Sequence, residues 1–167
     1  MFASQEGCIF CDSYKKDNKK VIWENKEVFS VLNYKPSIPG HALIITKQHL
    51  TDLKEITGSI LENFIHAVPQ TFEVIQTIYE QKPETFKEFY KELIKNPPEI
   101  KSSQFAEQML KHPHLLVKPI AYNWGMNYGY EAGQRAIHLH IHLFPRREMG
   151  LGIATAMRKH LAEKIVK

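Results

Sequence analysis

The sequence predicts a mixed fold of α-helices and β-strands, and three observations predict it. Two apolar runs, Val21 to Trp23 and Glu27 to Leu32, flank Glu24-Asn25-Lys26 as the arms of a β-hairpin would. From Ser59 to about residue 80, Ile60, Leu61, Phe64, Ile65, Val68, Phe72, Ile75 and Tyr79 recur at helical spacing. Residues 136–144 alternate between apolar and polar side chains, the two-residue period of a half-buried strand. At 167 residues the chain reads as one domain over 1–167, long enough to bury a core without staples.

The elements follow in order. After the hairpin, Asn33 to His41 is a loop punctuated by Pro36, Pro39 and Gly40, and Ala42 to Thr46 is a third strand. Ser59-Ile60-Leu61-Glu62 fits a capping box at the start of the long helix. Pro69 lies inside that helix and predicts a kink, because its ring removes an N–H and crowds the preceding turn. Residues 83–114 read as a helical insertion. Phe86, Phe89, Tyr90, Leu93 and Ile94 mark one amphipathic helix ended by Pro97-Pro98, and Ser103 to Lys111 marks a second stopped by Pro113. Nothing in it looks chemical, so it reads as a packed lid or a surface appendage. Leu115 to Val117 is expected to be extended, and Ile120 to Asn127 a strand. A glycine-rich turn, Tyr128 to Gln134, leads into the strand at Ala136 to Phe144. The tail, Ile153 to Val166, is expected to be a C-terminal helix with Ile153, Met157, Leu161 and Ile165 on one stripe.

Composition narrows the class. The apolar and charged fractions are those of a folded water-soluble chain, and runs such as Ala42 to Ile45 are far shorter than a membrane span. Met1 to Glu6 has no signal-peptide pattern, so a cytoplasmic location without membrane partners is the expectation. Lys and Arg total 22 against 18 acidic residues, a balance that suits an anionic ligand. The basic residues are scattered with no aromatic-basic ladder, which argues against a nucleic-acid partner. Cys8 and Cys11, in Cys-Ile-Phe-Cys, read as a metal clip or redox pair before a structural disulfide.

The densest chemistry lies in His138-Leu139-His140-Ile141-His142-Leu143-Phe144. Strand alternation puts the three histidines on one face, roughly 7 Å apart, and Leu139, Ile141 and Leu143 on the other. One packing role does not call for three polar rings in five residues, whereas His66, His112 and His160 read as isolated structural histidines. Three imidazoles side by side can bind a metal, relay protons, or supply a nucleophile flanked by donors. The surroundings favour a phosphate over a bare metal ion. Glycines permit close approach of backbone N–H groups to an anion, Asn127 and Gln134 bracket the turn, and Arg146 and Arg147 follow the strand. His140, with a ring on each side, is best placed to attack phosphorus.

The segment also resembles the histidine-triad (HIT) family signature of nucleotide hydrolases and transferases, His-φ-His-φ-His-φ-φ. The N-terminal Cys-Ile-Phe-Cys, the Asn33–His41 loop ending Pro-Gly-His, the strand leading to Lys47-Gln48-His49, and Glu131-Ala132-Gly133-Gln134 resemble the family in the same order. The resemblance covers about residues 7–80 and 120–147. It implies a small α+β domain with an antiparallel sheet, and a homodimer. It implies that His140, the middle of the triad His138, His140 and His142, attacks the α-phosphate and is transiently nucleotidylated, while His142 contacts the phosphate or departing group. Asn127 and Gln134 would hydrogen-bond phosphate oxygens, Asn33 would lie beside the ribose, and Ile9, Phe10, Leu32 and Leu43 would wall the base. His41 would support the imidazoles from behind.

The activity so implied is hydrolysis of dinucleoside polyphosphates, or of mononucleotides bearing a leaving group at the α-phosphate. A nucleoside phosphoramidase or a nucleotidyltransferase shares the same features, although His138-Leu139-His140 differs from the His-Pro-His of sugar-phosphate uridylyltransferases. The non-enzymatic alternative is a zinc-stabilised nucleotide sensor. One position departs from the family: Arg135 stands where most members carry a serine or threonine that helps the phosphate or leaving group. Arginine there offers a phosphate contact or a solvent-facing charge. The 83–114 segment is also longer than the family usually shows. A mostly bacterial subset adds a zinc site matching Cys8, Cys11, His49 and His138. Two cysteines and two histidines close a tetrahedron with no position for substrate water, so the implied zinc is structural.

Overall fold

Apolar residues on both faces of the strands need cover on both sides, and the chain supplies it unequally. The computed structural model describes residues 5–16, 20–150 and 152–165. Strand β1 (Val21–Glu24) pairs antiparallel with β2 (Val28–Leu32), and Asn25 holds their turn by accepting from the N–H groups of Glu27 at 2.9 Å and Val28 at 2.8 Å. Strand β3 (Ala42–Thr46) pairs with β2 and with β5 (His140–Arg146), and β4 (Ala121–Gly125) closes the far edge. The order is β1-β2-β3-β5-β4, antiparallel throughout.

Side-chain parity divides the sheet. Val28, Leu32, Ala42, Ile44, Ile141 and Leu143 pack with helix α2 (Gly58–Gln81) in the larger core. Phe29, Val31, Leu43 and Ile45 face the other way and meet Phe10 of helix α1 (Ile9–Lys16) in a smaller cluster. Ser30, buried between strands and helix, hydrogen-bonds to Thr71 of α2 at 2.6 Å between hydroxyls.

The insertion is not an appendage. Helices α3 (Glu84–Lys95) and α4 (Ser102–Leu110) pack on each other and send Phe86, Tyr90, Leu93, Ala106 and Met109 into the larger core. Burying each large side chain there stabilises the fold by roughly 1.5–3 kcal/mol. Phe86 stacks on Tyr79 of α2 with ring centroids 4.0 Å apart. The Tyr90 hydroxyl accepts a hydrogen bond from the Gly40 N–H at 2.9 Å, so the insertion buttresses the Asn33–His41 loop. Gly40 itself has φ +82°, the left-handed region that favours glycine, while a Cβ there would only touch Pro145 at 3.4 Å and Tyr79 at 3.5 Å.

Several local expectations are corrected. Helix α2 begins at Gly58, which places Ser59 inside its first turn and breaks the Ser59–Glu62 capping box; the Ser59 hydroxyl donates to Glu27 instead, at 2.8 Å. A capping box does form, from Asp52 to Glu55, on the short 3-10 helix Leu53–Glu55. The bend expected at Pro69 is not among these corrections: helix α2 runs unbroken through the proline for 24 residues, which a bent helix also does. Leu115 to Val117 is a run of turns closed by Leu115 N–H to His112 O at 3.0 Å and Val117 N–H to His114 O at 3.2 Å. Strand β4 is shorter than Ile120–Asn127, and β5 starts four residues later than Ala136. Helix α5 (Ile153–Ile165) leaves Ile153 and Met157 each 54% exposed, so the described part of its apolar stripe lies outside the core. Val166 and the side chains of Leu161 and Ile165 lie outside the described residues. Among the described residues, no helix is long and apolar enough to cross a membrane.

Candidate active site and metal cluster

The three histidines divide between two environments. His138 lies in a bend before β5, where the Leu139 N–H reaches the Leu50 carbonyl at 2.8 Å. His138 thus precedes the strand but keeps to the histidine side, with Leu139 in the larger core opposite and Phe10 against both His138 and His140 at ring centroids of 5.9 and 5.0 Å. His138 Nε2 lies 2.9 Å from the Thr46 carbonyl and 3.1 Å from the Thr46 hydroxyl oxygen. A carbonyl can only accept, so Nε2 carries the proton and Nδ1 keeps its lone pair. That lone pair faces Cys8 Sγ at 3.5 Å and Cys11 Sγ at 3.6 Å, and His49 Nδ1 lies 3.4 Å from Cys11 Sγ.

Both cysteines are free thiols, and the four ligand atoms of Cys8, Cys11, His49 and His138 lie within 4.8 Å of one another. A tetrahedral ion with sulfur at about 2.3 Å and nitrogen at about 2.0–2.1 Å sets ligand atoms roughly 3.4–3.8 Å apart. Three of the four sulfur–nitrogen separations, at 3.4, 3.5 and 3.6 Å, match those edges. His49 Nε2 is buried without a hydrogen-bond partner, so its ring is oriented from Nδ1, the atom turned to the cluster. Burial, with help from neighbouring His49, pushes the His138 imidazole down to about 4, leaving it neutral and able to ligate near pH 7.

His140 and His142 meet a different set of partners. His140 Nδ1 donates to the His138 carbonyl at 2.9 Å, which leaves the lone pair on Nε2. Phe10 contacts this ring edge-on, with centroids 5.0 Å apart. Burial lowers the His140 pKa against a smaller opposing pull from that hydrogen bond. His41 Nδ1 accepts from the Ser37 N–H at 3.1 Å, so its proton sits on Nε2 and points to His142 Nδ1, 3.1 Å away. His142 is thereby fixed with its own proton on Nε2. Burial and charge repulsion from the neighbouring rings push His41 down to about 3, and burial with His140 beside it pushes His142 down to about 4. Near pH 7 the arrangement is therefore a neutral imidazole with a bare Nε2 beside a neutral imidazole with a donor Nε2.

Both rings line a cleft of about 860 Å³, which is also lined by Ile9, Phe10, Asn33, His41, Leu43 and Asn127. Leu32 is a correction: it has the parity of Val28 and packs on the α2 side, whereas Val31 belongs to the cleft-side cluster. Gln134 is another. It does not line the cleft; its Oε1 accepts from Gly129 N–H at 2.8 Å and its Nε2 donates to Ala136 O at 3.0 Å and Ile137 O at 3.1 Å. It staples the glycine-rich turn and has no N–H left for a ligand. His138 is absent from the cleft wall. Asn33 lines the cleft, but its Oδ1 already accepts from the Lys35 N–H at 2.9 Å. Asn127 makes no hydrogen bond to another described residue, so its amide is available. Arg147 turns away, with Nε donating to Val117 O at 2.6 Å and its guanidinium over the Tyr79 ring at 4.9 Å. Arg146 borders a smaller neighbouring hollow with Phe144 and Ile153.

Tyr34, Lys35, Glu99 and Trp124 also line the cleft, and sequence reasoning passed over all four. Lys35 belongs to a loop already singled out. Glu99, from the α3–α4 connection, carried no signal, because only the tertiary fold brings the insertion to the cleft.

Comparison with known proteins identifies the relatives of this chain. The HIT domain model matches residues 15–149. A Bacillus subtilis relative named Protein hit is 25% identical over 156 residues, covering 93% of this chain and 81% of its own. The asymmetrical bis(5'-nucleosyl)-tetraphosphatase of Schizosaccharomyces pombe is 23% identical over 129 residues, 77% of this chain and 50% of that one. Among solved structures, a zinc-bound histidine triad family protein from Mycobacterium smegmatis superposes with a TM-score of 0.54 at 22% identity, over 85% of this chain and 76% of that one. The α+β fold, the antiparallel five-stranded sheet and the family model lead to one conclusion: this chain belongs to the HIT family.

Proposed function

We propose that this protein is a nucleotide hydrolase that cleaves at the α-phosphate of dinucleoside polyphosphates through a nucleotidyl-histidine intermediate. The observation that carries the reading is the His140 hydrogen bond to the His138 carbonyl, which holds the proton on Nδ1 and the lone pair on Nε2. In the first step that lone pair forms a P–N bond to the α-phosphorus. The P–O bond to the bridging oxygen breaks, and its electron pair leaves with the polyphosphate as an anion. His142, held by His41 with its proton on Nε2, donates a hydrogen bond to the reacting oxygens. In the second step water oxygen bonds to phosphorus, the P–N electron pair returns to His140, and one proton passes to solvent. Leu43, Ile9 and Phe10 offer an apolar wall for a base, and Asn127 a donor to phosphate.

We assign zinc to the four-ligand cluster, where Cys8, Cys11, His49 and His138 would hold it. When bound, zinc supplies cross-linking and no reaction chemistry, because four protein ligands leave no open position. It ties α1, and with it Ile9 and Phe10, to the segment carrying His140. The family resemblance also implies a homodimer, which sedimentation would test.

The reading is tested by incubating the purified chain with diadenosine tetraphosphate and separating the products by chromatography. The expected result is stoichiometric AMP and ATP from the native chain, and none from His140→Ala. Wild-type turnover by His140→Ala would overturn it.

A further inference from the structure

Along β5 and the bend before it, the rings stand in a row. Phe10 meets His138 and His140 with centroids 5.9 and 5.0 Å apart, His140 meets His142 at 4.9 Å, and His142 meets Phe144 at 5.7 Å. Phe10 and Phe144 therefore bound the pair His140 and His142 from opposite ends, and all four rings line the cleft. The Phe10 end carries the apolar wall of Ile9 and Leu43. The Phe144 end has a wall of its own, supplied by α5. Ile153, Ala156 and Met157 line the same cleft, and Ile153 and Ala156 also border the smaller hollow with Phe144.

Ile153, Ala156 and Met157 recur at spacings of three and four, so they share one helix face. That face is apolar, yet Ile153 and Met157 are each 54% exposed. They are turned to the cleft and not to the core, so their burial is completed by what the cleft takes up. An isoleucine and a methionine at the same end as a phenylalanine ring suit a flat aromatic group, because thioether sulfur packs favourably against aromatic rings. At about 860 Å³ the cleft is near the top of the roughly 300–1,000 Å³ range that houses one drug-sized ligand. Its volume and its apolar wall at each end fit a molecule with two aromatic heads.

We infer that Phe144, Ile153 and Met157 form a second base subsite, which holds the distal nucleoside of a dinucleoside polyphosphate while the proximal base lies against Phe10. His142 stands between His140 and Phe144, so the departing phosphate chain passes its Nε2 donor on the way to the second subsite. A substrate with two nucleosides fills both ends of the cleft, whereas a mononucleotide leaves the α5 face uncovered. This inference rests on the hydrolase reading above.

The test compares diadenosine tetraphosphate with adenosine 5'-tetraphosphate, which keeps the phosphate chain and lacks the second nucleoside. Wild type should favour the dinucleotide by about 10-fold or more in kcat/KM, and the double variant Ile153→Gln, Met157→Gln should bring the ratio to within about 3-fold of unity. Both substitutions are at exposed positions and keep the charge of α5, and the ratio is internal to each preparation. Hydrogen exchange on His140→Ala gives a readout without turnover: α5 amides should slow about 3-fold or more with saturating dinucleotide and stay unchanged with the mononucleotide. A wild-type ratio near unity, a ratio that survives the double variant, or equal protection by both nucleotides would overturn the second subsite and leave the hydrolase reading intact. Protection of α5 that follows protein concentration and not nucleotide would assign this face to a second copy of the chain, and overturn the subsite too. Absence of turnover by wild type on both nucleotides would overturn the hydrolase reading, and this inference with it.

Discussion

His138 and His140 are two residues apart, and their imidazoles do opposite things because their other nitrogens meet different partners. His138 gives its Nε2 proton to Thr46 O and turns a bare Nδ1 to two thiols. His140 gives its Nδ1 proton to the His138 carbonyl and keeps a bare Nε2 on the ring that lines the cleft. The side chains are chemically identical. A backbone carbonyl, placed on one nitrogen or the other, decides whether the ring is set up for a metal or for an electrophile. The lesson extends to His142 with the sign reversed: the His41 imidazole donates to its Nδ1 where a carbonyl would accept, so the His142 proton sits on the far nitrogen, Nε2.

The comparison breaks most visibly by exchanging the two rings' fates. His140→Ala should reduce kcat on diadenosine tetraphosphate by about 10³-fold or more, with nucleotide affinity changed only a few-fold in equilibrium titration. A stability loss dominating over the activity loss would mean that His140 belongs with His138. The metal end should respond in the opposite sense. Cys11→Ser, or exhaustive chelation, should remove bound zinc by atomic absorption and cost about 3 kcal/mol or more, roughly 6–12 °C in Tm. The residual activity per folded molecule should fall far less than in His140→Ala.

The relay to His142 can be sharpened separately. His41→Ala leaves His142 Nδ1 without its donor and frees the tautomer, for an expected loss of about 10–100-fold in kcat with KM little changed. An unchanged kcat would show that the His142 proton needs no fixing. The smallest effect concerns acid stability. Burial depresses His41 to about 3 and His142 to about 4 in the folded chain, while the unfolded rings titrate near their ordinary value of 6.5. Depressed folded values mean that this stability is fully present above about pH 6.5. It is lost as pH falls from there toward 4. Denaturant unfolding of the metal-free Cys11→Ser chain at pH 7.5 and pH 5 should show a loss on the order of 1–2 kcal/mol per buried ring. Equal stability at the two pH values would contradict the buried neutral pair.

Local periodicity made much of the architecture legible. The hairpin, the third strand, the long helix and the alternation of Leu139, Ile141 and Leu143 against the histidines all follow from periods of two and 3.6, and each has its counterpart in the fold. The juxtaposition of Cys8, Cys11, His49 and His138 was legible only through the resemblance, because residues up to 130 positions apart meet there. What stayed hidden was non-local. His138 leaves the strand because its neighbour Leu139 bonds to Leu50 and its ring to Thr46, neither of which any window around the triad contains. Leu32 has an apolar side chain of suitable size for the cleft, but parity gives it to α2. Residues Phe86, Tyr90 and Leu93 announced an apolar face without announcing that Tyr79 and Gly40 would receive it. Gln134 was visible as a donor, but not that its amide would be consumed by its own turn.

The whole account turns on His140 Nε2 being the atom that meets phosphorus. Rapid mixing of the native chain with diadenosine tetraphosphate, acid quench and intact-mass measurement followed by peptide mapping tests it most directly. The expected result is an acid-labile mass increase of one adenylyl group on His140, absent from His140→Ala and retained in His41→Ala. Turnover without any such adduct, or an adduct on a different residue, would contradict it.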